Sequence, residues 1–193
     1  MSRRVTRGAC SLLLAGIGLV GCGDARELAR QTFVSADGER LVVVTDLPAP
    51  GFWSDTADTP GDDPVGFEHE IAVLLAERFG LELSIVDAPF TDIVAGRLGD
   101  ADLAIAQISV TSERAEFVDF SVPYYRTNSA VIGRLGEELT DLKTARELIW
   151  VAEAGSTQDS VIADEVRPDA AHLGVASALE AAQLILDGDA DVA

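Results

Sequence analysis

Apolar residues along this chain follow two rhythms. Short unbroken runs, LVVVT (41–45), LELSIV (81–86) and DLAIA (102–106), have the length and β-branched content of strands buried in a sheet. Between the first two, Phe67, Ile71, Leu74, Leu75 and Phe79 recur at helical spacing, and Gly80 stands where a helix would end. A shorter helical period passes through Ile93, Val94 and Leu98, and a polar, Pro- and Asp-rich loop runs from the first strand to Val65. The order β-α-β-α-β predicts a parallel sheet with right-handed crossovers.

The alternation then restarts. A strand is predicted at LIWVA (148–152), a helix after Ser156 and Thr157, a short strand near HLGV (172–175) and a helix over 177–186. The hexapeptide GDADLA (99–104) returns as GDADVA (188–193), each time after a helix and opening an apolar strand. Matching positions in two successive units predict two related lobes, 41–132 and 133–193, joined by crossing segments near 125–133. The first copy continues through Ile105 and Ala106 and the second does not, so the expectation is a chain truncated within its second lobe, without a return segment.

The N-terminus changes the reading of composition. Arg3, Arg4 and Arg7 precede an apolar run from Ala9 to Val20 that is too short to span a bilayer and has the form of a secretory signal. It ends in LVGC, which resembles the lipobox of bacterial lipoproteins and implies Cys22 as the acylated first residue of the mature protein; ordinary cleavage nearby is the alternative. Cys10 lies within the removed segment, so no intrachain disulfide is expected and the fold must rest on its core. Removing residues 1–21 takes away three Arg and no acid, leaving 11 basic residues against 33 acidic ones, a net charge of −22 over 172 residues. That charge argues against nucleic acid as a partner. The expected setting is outside the cytoplasmic membrane, tethered by lipid at Cys22.

The candidate chemistry lies just past the strand at 102–106, in AQISVTSER (106–114). Ligands of open parallel sheets bind beyond the carboxyl ends of the strands, where Gln107, Ser109, Thr111 and Arg114 fall. A guanidinium offers paired in-plane donors that match a carboxylate, and nearby hydroxyls or amides can fill its remaining lone pairs. A small carboxylic acid is the predicted ligand. The alternative is a surface ion pair of Arg114 with Glu113, Glu116 or Asp119.

The segments TDLPAPGFW, GFEHEIAVLLAERFG, APFTDIVAGRLGDADLAIAQISVTSERAEFVDFSVPYY, DLKTARELIWVAEAGSTQDS and LEAAQLILDGDADVA together resemble the family 3 extracellular solute-binding proteins, amino-acid receptors of ABC importers. S-x-T-x-E-R followed by V-D-F-S-x-P-Y-Y, and later G-S-T-Q, carry most of the likeness. The resemblance implies an α/β periplasmic-binding-protein-like fold of type II, with two lobes closing on an amino acid and presenting it to a membrane permease. It implies Arg114 as the clamp on the ligand α-carboxylate, with Ser109 adding a contact and Ser156 and Thr157 supplying N–H groups and hydroxyls from the other lobe. It places Phe90 over the ligand side chain, Phe52 or Trp53 roughly as a second aromatic, and Asp46 at the pocket border. Gln107 stands where a Gly, Ser or Ala is expected, near the ligand amine. The family's ammonium-binding Asp would lie three residues beyond Ala193, so weak ligand binding is expected of the chain as written. A monomer without cofactor or metal is implied.

Two other classes compete with this one. Some proteins resembling this family are dehydratases of cyclic amino-acid precursors, and such chemistry needs a general acid or base in the cleft. His69 and His172 are read as solvated or capping residues, since His69 lacks the second His of H-E-x-x-H and no G-x-S-x-G is present. DTADTPGDD (55–63) and DGDAD (187–191) invite a calcium reading, but the latter lacks Gly at loop position 6 and any residue at position 12.

Overall fold

The computed structural model describes residues 33–193 apart from 37, 54–64, 135–138 and 140. The predicted signal, Cys22 and the acidic stretch 55–63 lie outside the described residues. Two parallel sheets organise the rest. In the first, β1 (Arg40–Thr45) pairs with β2 (Glu82–Asp87) on one side and β3 (Leu103–Ala104) on the other, with Val43 opposite both Ile85 and Leu103. The run LVVV is explained by its central place. Leu41 and Val43 face Trp53, Ala72, Ala76 and Ile105, while Val44 faces Ile93 and Ala106, so both faces of β1 are covered.

The first crossover is α1 (Phe67–Phe79), closed by Gly80 in the left-handed conformation. Its buried face is rotated from the predicted one. Glu68, Ala72 and Ala76 are buried with Ile71, Leu75 and Phe79 packed beside them, whereas Phe67 and Leu74 are exposed. Small residues win the interface because they let the helix approach the sheet closely, and the larger apolar ones flank it. The second crossover is the short α2 (Phe90–Val94), which ends before Leu98.

In the second sheet, β4 (Val151–Glu153) pairs in parallel with β5 (Leu173–Val175), and Val192 adds a bridge to Trp150 on the opposite edge. Ser156 opens α4 (Thr157–Val161), which continues as a π-helical turn, Ile162–Val166. Ser177 opens α5 (Ala178–Asp187) by accepting a bond from Glu180 N, and the Glu180 side chain accepts in return from Ala176 N. The helix α3 (Leu142–Glu147), capped by Asp141, was not anticipated from the apolar pattern. Val151 packs on Ala181 and Ile185 of α5, and Trp150 and Ala152 pack on Ala145 and Ile162, again covering both faces.

The repeated GDAD does the same work twice. Asp102 N donates to Val42 O, and Asp102 Oδ2 accepts from Val42 N at 2.8 Å. Asp191 N donates to Ile149 O, and Asp191 Oδ2 accepts from Ile149 N at 2.8 Å. Each Asp therefore locks the start of a third strand onto its central strand. Asp102 also accepts from Ala36 N, and Asp191 pairs with Arg134, which reaches the carbonyl of Ile185 near the end of α5. These paired bonds place Val42 opposite Ile149 in the two units, and three strand positions later Thr45 opposite Ala152. Asp187 is the last residue of α5 and Asp191 is committed to Ile149 and Arg134, so DGDAD is a helix end and a strand lock.

Replacing Asp102 by Ala leaves Ala36 N and Val42 N without their acceptor. We expect a loss of about 2 kcal/mol, read as a lower urea midpoint with an unchanged denaturant slope.

Candidate functional site

The loop after β1 is fastened to the start of α1. Phe67 N donates to Gly51 O and Glu68 N to Phe52 O, so loop carbonyls take the helix's first N–H groups where no side chain caps them. Gly66 is required at this junction, because a Cβ there would stand 2.2 Å from Phe52 O. The result buries Trp53 and Glu68 together beneath the carboxyl ends of β1 and β3.

Glu68 is fully buried and receives four donors: Trp53 Nε1 at 2.8 Å, Gln107 N at 2.9 Å, Gln107 Nε2 and the Tyr124 hydroxyl. A buried carboxylate is stable only with such partners. Burial raises the Tyr124 phenol well above its ordinary value, and its bond to Glu68 and that residue's charge add to the effect. The same carboxylate holds Gln107 with φ at 48°, in the left-handed region that a non-glycine residue occupies only when its surroundings enforce it.

This turns the chain toward Arg114. Arg114 is 7% exposed at the head of a 3₁₀ turn, Arg114–Glu116. Its Nη1 donates to Ser109 O at 2.9 Å and its Nη2 to Gly155 O at 2.8 Å, while Arg114 N donates to Thr111 Oγ1. The ring of Phe90 lies under it, 5.3 Å from Cζ to the centroid. Burial lowers the Arg114 pKa below its ordinary value, partly offset by Glu113, yet a guanidinium stays charged at any physiological pH. Its hydrogen bonds go to carbonyls rather than to the acids expected in the surface alternative.

Gly155 belongs to the turn that opens α4, so Arg114 joins the two sheets. A second contact lies beside it, where a Cβ on Gly155 would meet the Thr91 methyl at 3.4 Å. Ser156 is buried and its Oγ accepts from Asp159 N, Thr157 is half-buried, and Gly155 N donates to Asp159 Oδ2. Asp159 in turn pairs with His172 Nε2.

The structure thus brings Arg114, Phe90, Ser156 and Thr157 together and gives Ser109 a carbonyl role. Gln107 directs its amide to Glu68. Trp53 is core, 2% exposed. Phe52 packs edge-on against Phe67 and Tyr125, with ring centroids 6.1 and 5.6 Å apart.

Asp46 follows β1 directly and Glu153 is the last residue of β4; burial raises both carboxyls above their ordinary range. Glu153 and Glu68 were missed from sequence. The first becomes visible only through the strand locks, which make Val42 and Ile149 equivalent and so Asp46 and Glu153. The signal for the second is a Glu on one helical line with Ala72 and Ala76.

The description "Bacterial extracellular solute-binding proteins, family 3" matches residues 41–184. The chain belongs to this family. It is 33% identical over 168 residues to the membrane-bound lytic murein transglycosylase F of Ectopseudomonas mendocina, covering 81% of this chain and 33% of that protein. It is 30% identical over 100 residues to the arginine-binding extracellular protein ArtP of Bacillus subtilis, covering 51% of this chain and 39% of that one. The chain therefore spans between a third and two-fifths of these relatives. A solved amino acid ABC transporter substrate-binding protein from Streptococcus pneumoniae bound to L-arginine superposes with a TM-score of 0.71 at 26% identity, over 88% of this chain and 69% of that one. The fold of the family 3 protein is the two-lobe type II architecture, with one parallel sheet in each lobe. Among the described residues no helix is long and apolar enough to cross a membrane, and no cluster of metal-ligating side chains occurs.

Glu68→Gln would set an amide NH2 against donors already aimed at the carboxylate. We expect a loss of about 3 kcal/mol, measured by chemical denaturation.

Proposed function

We propose that this family 3 protein captures a small amino acid between lobes 41–132 and 133–193 and delivers it to an ABC transporter permease. It would act as a monomer outside the cytoplasmic membrane, anchored by lipid at Cys22. The observation that carries this reading is the buried Arg114, whose guanidinium donates to Gly155 O in the turn of the opposing unit. Ligand entry exchanges the Ser109 and Gly155 carbonyls for a carboxylate, a stronger and bidentate acceptor. Ser156 and Thr157 take the same carboxylate from the second lobe, and Phe90 lies under the ligand. Gln107 and Phe52 serve as walls, the one braced by Glu68 and the other by Phe67 and Tyr125. The facing acids Asp46 and Glu153 favour a cationic side chain, in keeping with arginine in the names of related binding proteins. Closure about the segment 125–133 presents the loaded shape to the permease.

Calorimetric titration tests the reading. L-Arginine should bind more tightly than citrulline, its uncharged near-isostere, and Arg114→Ala should weaken arginine by roughly 100-fold, about 2.7 kcal/mol. Equal affinity of the variant and the original chain would overturn it.

One observation favours a second reading. Burial pushes the Glu153 carboxyl up to about 7, with neighbouring Asp46 adding, and an acid that keeps its proton near neutrality is what a dehydratase-like enzyme would use. Turnover of prephenate or arogenate would establish it. The binding reading expects none.

A further inference from the structure

One carboxylate oxygen closes a loop. Glu68 Oε1 accepts from Gln107 N at 2.9 Å and from the Tyr124 hydroxyl, while Oε2 accepts from Trp53 Nε1 at 2.8 Å and from Gln107 Nε2. The segment 107–124 therefore leaves the exit of β3 and returns to the same buried atom, with Arg114 between its two ends. Order inside it is local: Ala115 N donates to Thr111 O, and Phe117 N and Val118 N donate to Arg114 O. From Asp119 to Pro123 no hydrogen bond reaches another part of the chain among the described residues, and Val122 is exposed. The return of the loop thus depends on Tyr124.

A connector to the second sheet follows. The rings of Tyr124 and Tyr125 lie 6.2 and 5.6 Å from that of Phe67 between centroids, and Tyr125 also meets Phe52. Residues 126–131 are exposed and make no backbone hydrogen bond among the described residues. The chain is next held at Ile132, which exchanges two bonds of 2.9 Å with Ala193, and at Gly133, bridged to Val192. Any swing of one unit against the other therefore has its slack in 126–131, directly after the residue that closes the loop.

We propose that Tyr124 is a positioning residue for ligand capture: its hydroxyl, through Glu68, closes the base of the loop that aims Arg114 and isolates that loop from movement of the connector. This role presupposes that the protein binds an amino acid through Arg114; Tyr124 itself need not touch the ligand. Joining the ends of a loop removes conformations that would compete with the one binding requires. A hydroxyl present only to satisfy the buried carboxylate would leave Arg114 indifferent to its loss, because Trp53 and Gln107 still supply Glu68 with three donors. A loop-closing hydroxyl would not. Without it the arm 119–124 is released, Arg114 samples other orientations, and part of the binding free energy goes into ordering it again.

Tyr124→Phe isolates the hydroxyl, since the ring that packs on Phe67 is kept. In the ligand-free full chain, amide hydrogen exchange should quicken at Gln107 and at 115–118, while β1 and α1 keep their original protection. Calorimetry should show L-arginine bound roughly 10-fold more weakly, the scale of one hydrogen bond to a charged group. Asp141→Ala removes the cap of α3 and lowers stability, yet should bind L-arginine as the original chain does. Exchange that rises uniformly in Tyr124→Phe overturns the proposal, and so does an equal loss of affinity in Asp141→Ala, since either marks a general loss of stability. An original chain that does not bind L-arginine sinks the capture reading and this role with it; intact binding in Tyr124→Phe sinks the role alone.

Discussion

A charge that can neither be neutralised nor left bare governs the site. Arg114 is buried at the meeting of two sheets, and its guanidinium must find acceptors there. It finds one carbonyl in its own loop, at Ser109, and one in the opposing turn, at Gly155. The chain around it is arranged to make this possible. Thr111 fixes the 3₁₀ turn, Phe90 covers the cation from beneath, and the central strands bring the loops of both lobes to the same end.

That arrangement is held from behind by Glu68. Its carboxylate joins the loop after β1 through Trp53, the exit of β3 through Gln107 and the later segment through Tyr124. Four donors converge on a group from which water is excluded, so the network fixes backbone that β3, only two residues long, does not pair. A hydrophobic side chain at this position would fill the space but could not dictate the left-handed turn at Gln107.

Much of the fold was legible because buried parallel strands and crossover helices leave different apolar periods. The runs at 41–45 and 81–86 became β1 and β2 with one-residue shifts, and Gly80 and Gly188 end helices as glycine in the left-handed region does. The apolar pattern points to a different face of α1 because bulk does not mark burial there; close packing on a sheet selects Ala72 and Ala76. The run at 102–106 shrank to Leu103–Ala104 because Asp102 reaches β1 with its side chain and Gln107 turns away. At the site, Arg114 stood out as a guanidinium just past a strand end, and Ser156 and Thr157 came into view through the family resemblance. Glu68 and Glu153 did not, since each is defined by partners 15 to 107 residues away, Trp53 at one extreme and Asp46 at the other.

The carbonyl of Gly155 has one more implication. It already engages the guanidinium, so on the proposed reading an arriving carboxylate competes with an internal surrogate rather than with water alone. Measured affinity is then a difference between two acceptors, diminished by whatever fraction of molecules is self-occupied. Weakening the surrogate, without touching any group that meets the ligand, is a route by which such a receptor tunes its sensitivity.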